Sequence, residues 1–134
     1  MFGSLDISTS ALVAQRTRID VISANLANRD ALYDAKGNYS PFRRRIPVFA
    51  AGDPVSGNPG GVHVAKIALD PAPFQIRHEP GNPNADQDGN VSYPNIDPAY
   101  EMVSALEASR AYEANITAAE TTKQMIQSSL RLLA

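Results

Sequence analysis

The sequence predicts a mainly α-helical protein with a small, turn-rich β middle. Of its 134 residues, the first 28 contain no proline and only one glycine, and residues 99–134 contain neither residue type. All ten prolines and the other seven glycines lie from Asp30 through Pro98. Because glycine and proline interrupt helices, this distribution predicts a helix at each end of the chain and short strands and turns between them.

The N-terminal helix is predicted from a seven-residue apolar repeat. Its members are Leu5, Leu12, Ile19 and Leu26, and Ile22 fills an intervening position. Such a repeat places one apolar stripe on one helix face and favours left-handed coiled packing.

The N-terminal helix is expected to end near Asn25–Asn28, since asparagine tolerates the left-handed conformation common after a last turn. For Asn25 and Asn28 two interpretations stay open. Each either caps the helix or forms a hydrogen bond across the coil or to a neighbouring subunit.

The C-terminal helix is predicted to begin at Asp97-Pro98, with Asp97 as the N-cap and Pro98 at the first helical position. An apolar stripe with alternating steps of four and three residues follows, interrupted by Ser109 and Lys123. At about 1.5 Å per residue this helix would be roughly 54 Å long and the first one about 36 Å. The longer helix therefore keeps apolar surface for another partner. The stripe includes Met102, Tyr112, Ile116, Ile126, Leu130 and Leu133.

The middle of the chain offers two strand candidates, residues 42–49 and 61–69. The second has Val62 and Val64 on one face but Ile67 and Leu69 on the other, which predicts a bulge or burial of both faces. A further short run, residues 74–77, is expected to pair at the edge. The middle has few large apolar residues and can form only a small core.

Composition excludes several classes of protein and of site. The chain has no cysteine, so neither a disulfide nor a thiolate metal site is possible. No apolar run approaches the ~20 residues that span a bilayer. The first ten residues lack the basic and apolar regions of a Sec-type signal peptide. By these ordinary rules the protein is expected to stay in the cytoplasm.

The segment 84–95 resembles the start of a calcium-binding loop. Asn84, Asp86 and Asp88 lie at alternate positions and Gly89 follows. The twelfth position, however, is Asn95, where such a loop needs a bidentate glutamate. The prolines just before the segment also prevent an entering helix. The pattern therefore favours a turn in which Asp88-Gly89 supplies the positive φ, and calcium binding is the minor alternative.

The remaining polar clusters do not indicate catalysis. Arg43, Arg44 and Arg45 could bind nucleic acid or acidic lipid, but they lack interleaved aromatic residues and the chain has no basic excess. We expect them to contact carboxylates of neighbouring subunits or to alternate between the faces of a strand. His63 and His78 are isolated from other metal-ligand residues, and no serine lies in a nucleophile elbow. The sequence therefore predicts no enzyme, no metal site and no cofactor.

Both ends carry motifs that resemble those of bacterial flagellar axial proteins, the rod and hook family. Residues 23–28 read SANLAN, 93–97 read YPNID, 101–103 read EMV and 109–115 read SRAYEAN. The short length and residues 41–49 are most similar to proximal rod members. Many axial proteins continue from the first motif with Thr-x-Gly-Tyr, whereas residues 28–31 here read NRDA. The matching motif residues are Asn25, Leu26, Ala27, Asn28, Pro94, Asn95, Asp97, Glu101, Met102, Arg110, Tyr112, Glu113 and Asn115.

The resemblance implies an architecture and a role. The terminal helices would pair as an antiparallel coiled coil, so that residues 1–30 and 96–134 form one discontinuous helical domain and residues 31–95 a small β domain. In such a coil the stripe from Leu5 to Leu26 packs against the stripe of the second helix within one subunit. The remaining helix faces would join subunits into a tubular drive shaft.

The resemblance also implies partners and a route. The partners would be further copies, proximal and distal rod subunits, an adaptor at the export gate and MS ring, and the type III export apparatus. Export without a cleaved signal peptide would place the chain in the periplasmic rod, which replaces the cytoplasmic expectation. Neither nucleic-acid binding nor direct membrane insertion is expected. The competing hypotheses are a calcium-dependent binding module and a free-standing helical adaptor.

Overall fold

The computed structural model describes residues 2–54, 57 and 59–133, and these form two long helices around four short strands. The elements are α1 (Phe2–Ala27), β1 (Arg45–Ala51), β2 (Val62–Leu69), β3 (Gln75–His78), β4 (Asn90–Tyr93) and α2 (Pro98–Leu133). This order confirms the predicted fold class, which is mainly α with a small β middle.

The two helices pack against each other in antiparallel directions. Asn25 near the end of α1 contacts Glu101 near the start of α2, and Arg18 about two turns earlier in α1 contacts Ser104 and Glu107 further along α2. The C-terminal end of α1 therefore lies at nearly the same level as the N-terminal end of α2. Because α1 has 26 residues and α2 has 36, the excess of α2 lies at its C-terminal end. That excess projects about 15 Å.

The start of α2 agrees with the sequence, whereas the end of α1 differs in detail. Asp97 Oδ1 accepts a hydrogen bond of 2.9 Å from the Ala99 N–H, as an N-cap does. At the other terminus, Asn28 Nδ2 donates to the Ala24 carbonyl at 2.8 Å. Among the described residues only glycines have a positive φ, so the left-handed conformation expected for an asparagine here was wrong. Asn28 instead caps through its side chain.

The contact between the helices is displaced from the predicted apolar stripe of α2. Glu101 and Ala108 are fully buried, whereas Met102, one position further round the helix, is 60 % exposed. A small residue such as Ala108 lets two helix backbones approach closely, and a large side chain at that position would separate them. The assignment of Met102 to the seam within the subunit was therefore wrong.

The last two members of the predicted stripe are also exposed, for a different reason. Leu130 is 61 % and Leu133 is 86 % exposed, because both lie in the part of α2 that extends beyond α1. Ile22, by contrast, is 4 % exposed and belongs to the core. The other predicted seam residues are half-buried, namely Leu5, Leu12, Ile19, Leu26, Tyr112, Ile116 and Ile126.

The first two strands form an antiparallel hairpin that packs on α1. Val48 pairs with Lys66 and the next residue, Phe49, pairs with Val64, which leaves Ala65 as an extra residue in β2. This bulge is at the point where the apolar residues of β2 change faces, so the predicted bulge is confirmed. Ile67 and Leu69 nevertheless remain 49 % and 61 % exposed.

The third and fourth strands form a separate hairpin. Gln75 of β3 pairs with Tyr93 of β4, and His78 pairs with Asn90. The expectation that this segment joins the edge of the first sheet was wrong, because β4 supplies its hydrogen-bond partners instead. Three apolar residues in and after this hairpin are buried: Val91 and Tyr93 in β4, and Ile96 between β4 and α2. The buried hydrophobic residues thus form two groups, Val91, Tyr93 and Ile96 at the second hairpin, and Ala14, Val21, Ile22 and Ala108 on the helix pair.

Gly61 marks the closest approach of the first hairpin to α1. Its φ is +96°, and a Cβ at this position would lie 2.6 Å from Ser10 Oγ. The same hydroxyl donates to the Ile7 carbonyl at 2.7 Å and accepts from the Val62 N–H at 3.1 Å. The serine therefore links α1 to the start of β2, and only glycine leaves room for that contact.

Replacing Gly61 with alanine is expected to lower the free energy of unfolding by about 2–3 kcal/mol, because a strained φ and a clash with Ser10 add together. Gly37 is the matched control, since its φ is +82° and nothing lies near an added Cβ. Gly37→Ala should cost only about 1–2 kcal/mol, the backbone strain alone. Urea denaturation of both variants measures the difference, and equal losses would show that the hairpin does not depend on this contact.

Candidate functional site

Two of the motif residues meet at the start of β1, where the helix pair holds the first hairpin. Asn25 is 1 % exposed. Its Oδ1 accepts from the Arg45 N–H and its Nδ2 donates to the Arg45 carbonyl, both at 2.9 Å. The amide thus pairs with both backbone groups of one strand residue, as a neighbouring strand would. Of the two interpretations that the sequence left open for Asn25, the structure supports the hydrogen bond and not the cap.

Glu101 is the buried charge of this region, with no exposed surface. Its Oε1 accepts from Arg44 Nε at 2.6 Å and its Oε2 accepts from Asn25 Nδ2 at 3.3 Å. Arg44 Nη1 also donates to Asp70 Oδ2 at 3.2 Å. The four side chains, Asn25, Arg44, Asp70 and Glu101, are called the anchor cluster below. They join α1, β1, the loop after β2 and the first turn of α2.

Electrostatics in the anchor cluster favour the charged forms of Arg44 and Asp70. Burial alone would lower the pKa of Arg44, but hydrogen bonds and the charges of Glu101 and Asp70 outweigh burial and raise that pKa above its ordinary value. The backbone N–H of Ala72 lowers the pKa of Asp70, and Arg44 lowers it further. Arg44 therefore stays protonated and Asp70 ionised over the whole physiological range.

The neighbouring arginines show how the predicted basic run is used. Arg43 Nη1 donates to the carbonyls of Asp70 and Ala72 at 3.2 and 2.6 Å, and the guanidinium lies 4.1 Å from the centroid of the Phe74 ring. Arg43 and Arg44 thus make contacts inside the subunit, where the sequence led us to expect contacts between subunits. Arg45 is exposed and lies over Phe42. For Arg45 the expected contact with a neighbour stays a prediction.

The second motif, residues 93–97, forms the buried turn that leads from β4 into α2. The Tyr93 hydroxyl contacts the Glu79 carboxylate at 3.1 Å, and Arg77 lies 4.0 Å from the centroid of the Tyr93 ring. Pro94 is buried, and its carbonyl accepts from the Ile96 N–H at 3.0 Å. Half-buried Asn95 accepts a hydrogen bond from Gln75. These contacts fix the direction in which α2 leaves the second hairpin.

The fourth motif, residues 109–115, lies along the middle of α2. Tyr112 and Asn115 are half-buried, and Asn115 Nδ2 donates to the Ala111 carbonyl at 2.8 Å within the helix. Arg110 and Glu113 are exposed. The structure therefore does not bring this motif into the anchor cluster, and its charged members face away from α1.

A large apolar surface remains on the first part of α2. Tyr100, Met102, Val103 and Leu106 are 56–61 % exposed. These four residues are called the outer apolar face below. Adjacent apolar side chains on the surface of a small protein mark sites of protein–protein contact more often than isolated ones do. Sequence analysis placed Met102 in the seam within the subunit and did not single out the other three residues.

The segment that resembles a calcium loop is a turn. Asp86 Oδ1 accepts from the backbone N–H groups of Asp88 and Asn90 at 2.9 and 2.8 Å, and Gly89 has a φ of +77°. The predicted turn with Gly89 at positive φ is confirmed. In residues 2–54, 57 and 59–133 no three His, Asp or Glu side chains come together as a metal site would need. No helix in the same residues combines the length and apolar character needed to cross a membrane.

Comparison with known protein families gives two matches. Residues 5–30 match the family described as flagella basal body rod protein. Residues 87–132 match the C-terminal domain of the flagellar basal body rod FlgEFG proteins. The two matches cover most of α1 and α2 and, between them, all of the motif residues that the sequence analysis identified.

Relatives of similar length match almost the whole chain. The flagellar basal-body rod protein FlgC of Bacillus subtilis is 40 % identical, and the match covers 98 % of this chain and 97 % of the relative. FlgC of Salmonella typhimurium is 42 % identical over 95 % of this chain and 93 % of its own length. FlgC of Aquifex aeolicus is 40 % identical over 95 % and 92 %. With this identity along nearly its full length, the chain belongs to the FlgC family of flagellar basal-body rod proteins.

Proposed function

We propose that the chain polymerises through its two terminal helices into the tubular drive shaft of the flagellar rod. As a family member it is a structural subunit of the basal-body rod and not an enzyme. The proposal concerns the surfaces through which subunits join. In a shaft these surfaces must be complementary patches on opposite sides of one subunit, since only heterologous contacts that do not close extend into a filament.

The outer apolar face is the observation that carries this proposal. Tyr100, Met102, Val103 and Leu106 span more than one turn of α2 and are more than half exposed. Burying them against a neighbour would gain about 1.5–3 kcal/mol for each large side chain. This burial would make assembly thermodynamically favourable for a subunit that exposes these residues.

The anchor cluster supports the proposal by fixing the hairpin to the helix pair. A drive shaft must transmit torque, so each subunit has to resist deformation between its helices and its β middle. The cluster connects four chain segments through hydrogen bonds of 2.6, 3.2 and 3.3 Å, and Glu101 is fully buried among them. We therefore propose residues 1–30 with 96–134 as the assembly domain, and residues 31–95 as a smaller domain held on it.

We propose partners and a compartment that are more specific than the basal-body rod given in the names of the relatives. We assign the chain to the proximal part of the rod, in contact with copies of itself, other proximal and distal rod subunits, and an adaptor between the export gate and the MS ring. The resemblance of the terminal motifs supports export through the flagellar type III apparatus into the periplasmic rod. Exposed Arg45 is available for a carboxylate of such a neighbour.

Replacing Leu106 with aspartate tests whether the outer apolar face joins subunits. Since Leu106 is 60 % exposed, the change should alter the free energy of unfolding by less than about 0.5 kcal/mol. A charge buried against a neighbour would nevertheless weaken the contact by about 2 kcal/mol or more, so swimming should be lost.

Leu106→Met is the matched control because it keeps the apolar character and the volume, and it should swim normally. Swimming in soft agar and the amount of the chain in purified basal bodies measure the effect. Normal swimming of a stably folded Leu106→Asp variant would exclude this face from the assembly contacts.

A further inference from the structure

A groove separates α1 from the first hairpin near the N-terminal end of α1. Its volume is about 920 Å³, and it is lined by Asp6, Thr9, Val13 and Thr17 on α1 and by Val62 and Val64 on β2. Val13 is 62 % exposed although it is apolar. Ordinary ligand clefts have about 300–1,000 Å³, so the groove can accept several side chains. We call it the α1–β2 groove.

The lining of the groove combines apolar side chains with carboxylates. Val13, Val62 and Val64 supply apolar surface, and the carboxylates of Asp6 and Asp53 also line the groove. Such a site would suit an apolar segment that also carries positive charge.

The C-terminal end of α2 has that chemistry. Residues 124–133, called the overhang here, extend beyond the last turn that α1 covers. Ile126, Leu130 and Leu133 lie at positions i, i+4 and i+7, the spacing with which an amphipathic helix occupies a groove. Leu130 and Leu133 are exposed. No acidic residue follows Glu120, whereas Lys123 and Arg131 carry positive charge.

We propose that the overhang of one copy docks into the α1–β2 groove of the next copy, a contact that rests on the proposed function and specifies one of its interfaces. Apolar residues of the overhang cover Val13, Val62 and Val64, and Arg131 approaches the carboxylate of Asp6. Because α2 is one continuous helix to Leu133, the overhang cannot turn back into the groove of its own subunit. The contact is therefore made between copies, and its repetition from copy to copy extends a filament.

A cysteine cross-link tests this contact, since the natural chain has no cysteine. The double variant Val13→Cys/Leu130→Cys should give disulfide-linked dimers and larger multimers in purified basal bodies after mild oxidation. Neither single variant should give them. Val13→Cys/Ile76→Cys is the matched control, because Ile76 and Leu130 are 63 % and 61 % exposed but only Leu130 lies in the overhang.

The outcomes separate this contact from the wider function. Basal bodies that contain the double variant but no cross-linked copies would overturn the docking and leave the rod function standing. A cross-link to a protein of another mass would overturn the choice of a second copy as the partner. A chain that is folded but absent from basal bodies in every variant, including the natural sequence, would overturn the proposed function itself.

A charge exchange provides a second measurement that needs no cysteine. Asp6→Arg alone, or Arg131→Asp alone, should reduce incorporation into basal bodies by about tenfold or more, because like charges then face each other across the contact. The combined variant Asp6→Arg/Arg131→Asp should recover most of the incorporation. A combined variant as poor as the single ones would show that these two charges do not meet.

Discussion

Arg44→Ala is expected to lower the free energy of unfolding by about 3–5 kcal/mol, a large part of the stability of so small a domain. The reason is the group that the change leaves behind. Glu101 has no exposed surface, and Arg44 Nε is the cationic donor 2.6 Å from its Oε1. Without the guanidinium a buried carboxylate remains, to which, among the side chains in the described part of the chain, only the Asn25 amide still donates. Urea denaturation followed by circular dichroism measures the loss.

The double variant Arg44→Ala/Glu101→Gln distinguishes a buried charge from a simple loss of contacts. If the uncompensated carboxylate causes the loss, neutralising it should recover part of the stability, so the effects of the two changes are not additive. An exposed ion pair would behave differently, since such pairs contribute only about 0–1 kcal/mol. A loss of that smaller size for Arg44→Ala would mean that water reaches Glu101 when the arginine is removed.

The helices and their ends were accessible to sequence analysis because their signals are local. An Asp-Pro pair fixes the start of α2, and the distribution of glycine and proline along the chain limits where helices can run. The bulge in β2 was also predictable, since the apolar pattern itself changes phase at Ala65. Each of these features depends on a few neighbouring residues, and no distant segment alters them.

The anchor cluster was not predictable in the same way. Three arginines in a row indicate a surface, and a glutamate in the first turn of a helix is explained by the helix dipole alone. Only the fold brings Arg44, Asp70 and Glu101 together from three distant segments. A signal was present in Asn25, which lies at an inward position of α1 where an apolar residue is expected. A buried amide needs partners, so it indicates that a backbone segment crosses there.

The assignment of Met102 to the inward face of α2 failed for a physical reason that a sequence pattern does not contain. A stripe with alternating steps of four and three residues was taken as the seam, but near its start α2 packs through Glu101 and Ala108 and leaves Met102 outside. In a monomeric protein the larger residues would be buried first. In a subunit that assembles, two different faces must be apolar, and periodicity alone does not say which one is buried within the subunit.

Ile22→Asp makes this difference between the faces measurable. Ile22 is 4 % exposed in the core, so the change removes a buried side chain and introduces an unpaired charge. We expect a loss of more than about 4 kcal/mol, enough to leave the purified monomer largely unfolded. Circular dichroism and limited proteolysis of the monomer check this, and Ile22→Val, which should cost about 0.5–1.5 kcal/mol, is the control.

Leu106→Asp and Ile22→Asp should therefore both stop swimming but for different reasons. The first variant stays folded as a monomer and fails to assemble, whereas the second fails to fold. Since the two side chains differ mainly in exposure, 60 % against 4 %, the comparison isolates the face on which the charge is placed. A folded Ile22→Asp monomer would mean that the helices separate in the free subunit and that the contact between α1 and α2 forms only during assembly. Assembly would then supply the free energy that orders both helices.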